Sequence, residues 1–471
     1  MSPPAHSLSA AIGRYRWTIC GLVFAATTIN YLDRNVLGLL KETLSDAGVF
    51  GAVKADQELN YSTVVICFQV AYAAGMLAAG RLIDRVGTKS GYAYSLFGWS
   101  LSAIGHAFGH TTATFGFWRA ALGFCEAGNF PAANKTIAEW FPRKERAFAT
   151  GLYNSGANVG AIVAPLAVPA IAAHWGWEWA FVLTGAVGLI WLGFWSAMYA
   201  SPAAKLGSGH LQQAEYDYIH IDPDEPAEEK ADPADTKVPW SRLIGFRQTW
   251  AFVLGKFLTD PIWWFYLFWL PAFLAGENAR KTGEYLAAHP GYAGVPADIP
   301  GIISWPLAVA VVYTVSTAGS IFGGWLPKKF INGGMTAGKA RKLAMFLFAL
   351  FPLTVLLASR LGQINTWLAV ATIAVACSAH QAWSANIFTT VSDMFPKKAV
   401  ASVTGIGGMA GAVGGILIAR VAGLLLQHYE AQGKIEVGYG ILFVICGSAY
   451  LVAWVIMQLL APKFEQVKLA A

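Results

Sequence analysis

Twelve apolar stretches, most about twenty residues or longer, divide this chain. They run at about 17–40, 62–84, 91–110, 113–139, 147–172 and 178–200, then at about 247–275, 301–327, 340–360, 365–392, 400–427 and 437–461. A helix needs about 20 residues to cross the hydrocarbon core of a bilayer. Inside that core every backbone polar group must be bonded internally, which leaves helices for stretches of this length. Only 13% of the 471 residues are charged, against about 25% in soluble domains. The expected fold class is an all-α membrane protein with twelve transmembrane helices.

Lysine and arginine orient it. If the N-terminus is cytoplasmic, 22 of the 33 basic residues fall in cytoplasmic segments, six outside and five within spans. The positive-inside rule then places both termini in the cytoplasm. The net charge of +6 follows from this loop bias and is no nucleic-acid signal.

The spans divide six and six around one long link, 201–246. It carries Asp222-Pro223-Asp224-Glu225-Pro226 and Glu228-Glu229. Low hydrophobicity, proline and charge predict a solvated tether. The two sets repeat: Phe141-Pro142-Arg143-Lys144 matches Phe395-Pro396-Lys397-Lys398 at an offset of 254. Thr150-Gly151 then falls on Thr404-Gly405, and Val159-Gly160 on Val413-Gly414. The expected domains are residues 1–200, a linker 201–246, and residues 247–471, as two pseudo-symmetric six-helix bundles. Duplicated halves of this kind place a substrate site near the midplane between them.

Within this frame the chain resembles the major facilitator superfamily over its whole length. Gly80-Arg81-Leu82-Ile83-Asp84-Arg85-Val86-Gly87-Thr88-Lys89 matches the hallmark loop between spans 2 and 3. Gly80, Asp84, Arg85, Gly87 and Lys89 are its gating and structural positions. The second-half counterpart, Gly324 to Gly333, keeps Lys328 and Lys329 but lacks the acid. Ile29-Asn30-Tyr31-Leu32-Asp33-Arg34, and span 4 from Arg119 to Pro131, look like the anion:cation symporter group. Lys256 to Tyr266 in span 7 is most similar to bacterial hexuronate transporters. The resemblance implies a proton-coupled importer of glucuronate and galacturonate in the bacterial inner membrane. Related members take galactonate, glucarate or aromatic acids, so a symporter for an aldonate, glucarate or another organic anion is the alternative.

Charges inside spans carry the expected chemistry. Each costs roughly 2.5–3.5 kcal/mol at a helix centre and is kept for function or pairing. A carboxylate shielded from water can load and release a proton near neutral pH. The resemblance makes Asp33 and Glu126 the proton-coupling acids. A neighbouring Arg34 holds Asp33 charged until substrate draws the arginine away; the alternative is a structural ion pair. Arg119, seven residues before Glu126, shares its helix face. It attracts the anion, holds Glu126 charged, or is purely structural.

Recognition of a sugar acid needs a cation and hydroxyl partners. Arg34 is the first candidate for the carboxylate, with Tyr31 three residues earlier. The resemblance adds Tyr72. Asn154 and Asn158 share one face of span 5, where some relatives carry a substrate-binding glutamine at the position of Ala157. Span 10 holds His380, Gln381, Trp383, Ser384 and Asn386, and His380 is the repeat position of Glu126. Lys256 and Asp260 in span 7 are either an intrahelical pair or part of the site.

The chain shows no nucleotide loop, no metal spacing and no nucleophile cluster, so neither an enzyme nor a primary pump is expected. The expected partners are a small anionic sugar acid, protons and the lipid bilayer. No cofactor, metal or nucleic acid is expected, and no oligomer is implied; a monomer is the expectation.

Overall fold

A computed structural model describes residues 13–221, 240–289, 304–395 and 397–467. It is helical among the described residues. The first six spans are Tyr15–Leu39, Lys54–Val86, Thr88–Gly105, Thr112–Glu126 resumed as Asn129–Trp140, Arg143–Trp175 and Trp177–Met198. The second six are Arg247–Ala288, Trp305–Asn332, Ala337–Leu350 continued to Ile364, Thr366–Met394, Lys397–Glu430 and Ile435–Leu460.

Length and hydropathy alone identify eight of these as membrane-crossing. The four missed are spans 1, 3, 4 and 7. Span 4 is divided by its break into helices of 15 and 12 residues, each too short alone, whereas spans 1 and 7 carry Asp33 and Arg34, and Lys256 and Asp260. Span 3 has 18 residues and is rich in glycine and serine. Polar side chains lower the hydropathy of helices that face the protein interior rather than lipid.

Two helices depart from uniform geometry where the sequence demands it. Span 4 breaks at Ala127-Gly128, just after Glu126. Pro131 has no N–H for the carbonyl of Ala127 and crowds it. Span 9 passes through a 3-10 stretch, Phe351–Leu357, opened by Pro352. Span 7 runs on to Ala288, beyond the apolar stretch, as an exposed polar rod bearing the Arg280–Glu277 and Arg280–Glu284 pairs.

The same packing recurs in both halves. Spans 1 and 5, 2 and 4, and 3 and 6 pair in the first; 7 and 11, 8 and 10, and 9 and 12 pair in the second. Small residues permit the closest approaches. A Cβ at Gly160 would come within 2.4 Å of the Thr28 carbonyl oxygen on span 1, and one at Gly319 within 1.9 Å of that of Ser378 on span 10. Spans 2 and 11, 5 and 8, and 1 and 7 join the halves.

On the side away from the termini the halves are pinned together. Tyr61 donates to the Phe268 carbonyl at 2.7 Å, Gln427 donates to Asp56 at 2.9 Å, and Lys54 pairs with Glu430 at 3.1 Å.

The link differs from the expected tether over its described part. Pro202–Gly207 and Gln213–Ile219 are helical, and Leu211, Glu215 and Ile219 are buried against the first half. Glu215 accepts from the backbone N–H groups of Tyr15 and Arg16 at 3.1 Å, and from the Arg16 guanidinium at 3.1 Å. A carboxylate at a helix N-terminus meets unpaired N–H groups and the positive end of the dipole. Composition predicted solvation; three buried residues spaced four apart outweigh it. The acidic run at 222–229 lies outside the described residues.

Candidate functional site

The halves enclose a cavity of about 550 Å³. Span 1 contributes Tyr31 and Arg34, and span 5 Asn154 and Asn158. Span 7 adds Lys256, Asp260, Trp263 and Trp264; span 10 adds His380, Gln381 and Ser384. The cross-half bonds at Tyr61, Gln427 and Lys54 close the molecule on the side away from the termini.

Arg34 is the best-supported cation of the cavity. Its guanidinium carbon lies 4.9 Å from the Tyr31 ring, 5.4 Å from Phe68, 4.9 Å from Tyr72 and 5.7 Å from Trp264. Four π faces replace much of the hydration a buried cation loses. Its Nε and Nη2 both donate to Oε2 of Glu126, at 3.0 and 2.8 Å, and Nη2 donates to Asn30 at 3.2 Å. Glu126 is fully buried, and its Oε1 has no hydrogen-bond partner.

The arginine's partner is therefore Glu126, not its neighbour Asp33. Successive helical residues point about 100° apart, so Arg34 turns to the cavity and Asp33 turns away from it. Asp33 is 2% exposed and accepts no hydrogen bond. It lies beside Thr184 of span 6, within the fields of Glu126 and Arg119.

Arg119 does not line the cavity. It is fully buried, its Nη2 donates to the Arg34 carbonyl at 2.7 Å, and its guanidinium packs 4.8 Å from the Phe68 ring. Expected as a substrate contact, it braces the span 1 backbone at Arg34, because its long side chain is consumed in crossing between helices. Tyr72 also meets Arg34 rather than the cavity, stacked on Phe68 at 5.7 Å.

On the opposite wall Lys256 pairs with Asp260 at 2.6 Å. His380 stacks on Trp263 at 5.2 Å, and its Nδ1 lies 2.6 Å from the Tyr450 hydroxyl. Gln381 and Ser384 line the cavity, but Trp383 and Asn386 do not. Trp383 is 1% exposed and packs edge-on against Tyr450. Asn386 donates to the carbonyls of Gly323 and Ala382 at 2.7 and 2.8 Å, tying span 10 to span 8. The reason is helical phase: positions 380, 381 and 384 share one face, and 383 and 386 point elsewhere.

The loop between spans 2 and 3 is a tight corner. Gly87, at φ +84, ends one helix and begins the next, a conformation that favours glycine. Arg85 and Lys89 are exposed there, and the Lys89 carbonyl accepts from Trp195 Nε1 at 3.0 Å. Gly80 lies within the helix of span 2, and the side chain of Asp84 lies outside what the structure describes.

The comparisons with known proteins agree with this architecture. The family profile of the Major Facilitator Superfamily matches residues 23–419. The chain belongs to the Major Facilitator Superfamily. This superfamily transporter is a multi-pass membrane protein and not an enzyme. It is 30% identical to a hexuronate transporter of Escherichia coli K12, over 94% of each chain. It is 28% identical to a D-galactonate transporter of Escherichia coli O6:H1, over 89% of this chain and 91% of that one. In fold it is similar to a bacterial homologue of the lysosomal transporter Spinster solved in an inward-facing, occupied conformation. That match has a TM-score of 0.68 at 16% identity, over 96% of this chain and 97% of the other.

Several cavity residues were not singled out from sequence. Thr317 and Ser320 line the cavity from span 8; their i, i+3 spacing in an apolar span was an available signal. Trp263 and Trp264 line it from span 7; they lie in the stretch that carries the resemblance, but aromatic residues in a span ordinarily mark packing or an interface. Tyr450, which positions His380, is 70 residues away in sequence.

Proposed function

We propose that the chain is a proton-coupled symporter that imports a hexuronate such as glucuronate or galacturonate by alternating access. Both termini are cytoplasmic in this reading, and the cavity faces the cytoplasm. The observation that carries it is Arg34: a cation on the cavity wall, held from behind by one fully buried carboxylate.

Arg34, Lys256 and Asp260 line the cavity, and Arg119, Asp33 and Glu126 are buried behind its wall, three cations with three acids. With all six charged the set is neutral, so an arriving carboxylate leaves an uncompensated negative charge in a low-dielectric site. One proton restores neutrality. The Arg34–Glu126 pair supports Glu126 as the acceptor. A substrate carboxylate that takes the Nε and Nη2 donors of Arg34 removes Glu126's partner, and the freed Glu126 becomes easier to protonate. Asn154, Asn158, Gln381 and Ser384 supply donors and acceptors for hydroxyls, and Trp263 and Trp264 supply apolar faces for the ring. Sequence similarity to the hexuronate transporter supports the substrate class, and the D-galactonate relative keeps an aldonate as the alternative.

Asp33, buried without a partner, carries a second proton. Two protons with one monoanion move one net charge, worth about 2.3 kcal/mol per 100 mV. Uptake into proteoliposomes is therefore electrogenic. Uptake that ignores an imposed potential at fixed pH removes the two-proton version. Competition of labelled glucuronate uptake by galacturonate, galactonate and an aromatic acid decides the substrate class. Stronger competition by galactonate than by galacturonate selects the aldonate reading.

A further inference from the structure

A second cavity, of about 550 Å³, lies on the closed side, away from the termini. Both halves line it. The first supplies Glu42, Asp46 and Glu58; the second supplies Glu277, Glu430 and Glu436. None of these residues belongs to the sugar-acid site.

The charge of this cavity is out of balance. Lys54 pairs with Glu430 at 3.1 Å, and Arg280 with Glu277 at 2.9 Å. Lys41, 1% exposed, pairs with Glu58 and lies 3.6 Å from Glu42. Six acids thus meet three cations, which leaves three negative charges in excess. Glu58 is itself 6% exposed. Its Oε1 accepts from Lys41, and its Oε2 is buried with no hydrogen-bond partner among the described residues. A buried carboxylate oxygen without a donor is costly, and the cavity that Glu58 lines has room for one.

The layout decides the class of donor. Among the described residues no group of three or more His, Cys, Asp or Glu side chains converges closely enough to hold a metal ion. The acids are spread around the wall instead. Phe273 and Tyr439, with ring centres 5.1 Å apart, add an aromatic surface. Spread acids beside rings suit several ammonium groups joined by methylene chains. Each ammonium donates to a carboxylate, and the chain covers the rings. The same field repels an anionic sugar acid.

We propose that this second cavity binds a flexible aliphatic polyamine, which bridges the acids of the two halves and holds the closed side shut. Excess negative charge on both halves repels across the closed face. A polycation between them removes that repulsion while the halves are together, so its binding favours the closed arrangement. The inference requires neither the substrate nor the proton coupling proposed for Arg34 and Glu126.

Equilibrium dialysis of labelled spermidine, a triamine, against the full-length protein in detergent tests it. Spermidine binds, and magnesium chloride displaces it no more than sodium chloride of equal ionic strength does. Glu58→Gln weakens binding. So does Asp46→Asn combined with Glu436→Gln, at two exposed positions that leave the buried Lys41 contact intact, by about tenfold. A thiol reagent reads the closing. Ser62 is 0% exposed and packs against Gly423 of span 11, so Ser62→Cys reacts above the background of the native cysteines when this side opens. Saturating spermidine slows that reaction about fivefold or more. Absence of binding, preferential displacement by magnesium, unchanged binding in the Asp46→Asn and Glu436→Gln protein, or an unchanged labelling rate each overturns the inference.

Discussion

At the residue scale the decisive contact is Arg34 with Glu126. A guanidinium held by four rings and a carboxylate uses its planarity as well as its charge. Arg34→Lys keeps the charge but loses stacking and one of the two donors that share Glu126 Oε2. Uptake efficiency should fall by about 100-fold, corresponding to about 2.7 kcal/mol, measured as initial rate over KM in proteoliposomes. Loss within a factor of three would show that charge alone suffices. Glu126→Gln separates coupling from binding. Exchange of labelled substrate across the membrane persists, because Arg34 keeps Asn30 and its aromatic cage. Accumulation driven by a pH gradient disappears, because the amide takes no proton. Equal loss of exchange and accumulation would mean that Glu126 is structural.

At the element scale the unexpected part is the helix Gln213–Ile219, which docks on the start of span 1. Glu215 there accepts from two backbone N–H groups and one guanidinium. Tyr218 donates to Glu145 at the start of span 5, at 2.7 Å. The link thus fastens two helices of the first half at their terminus-side ends. Glu215→Ala leaves those N–H groups unpaired, at a cost of about 1–3 kcal/mol. The segment from 205 to 221 becomes cleavable by a protease added on the side of the termini, where the native segment resists. Unchanged protection would show that burial of Leu211 and Ile219 holds the helix without the cap.

At the scale of the whole molecule, the contacts at Lys54, Asp56 and Tyr61 hold the halves closed on one side. Lys54 is largely exposed, at 78%, so its pair with Glu430 contributes at most about 1 kcal/mol. That is enough to shift the balance between the two open states about fivefold. Lys54→Glu increases labelling, from the side away from the termini, of a cysteine placed in the cavity wall at Ser384. Adding Glu430→Lys restores the native labelling rate. Failure of the double exchange to restore it would remove the pair from the closing contacts.

The helical membrane fold, the two six-span halves and the side chains available for chemistry are legible in the chain alone. Those follow from the length of apolar runs, the 254-residue register and the cost of charge in lipid, all local or periodic properties of the chain. Of the candidates the sequence singled out, Arg34, Tyr31, Asn154, Asn158, Lys256, Asp260, His380, Gln381 and Ser384 line the cavity. Tertiary structure decided the pairings. Arg34 chose Glu126, 92 residues away, over its neighbour Asp33, because adjacent positions on a helix point in different directions. Arg119, Trp383 and Asn386 left the cavity for the same reason of helical phase and for partners on other helices. Which charge meets which is set by the packing of distant spans, and a linear pattern of residue types does not contain that distance.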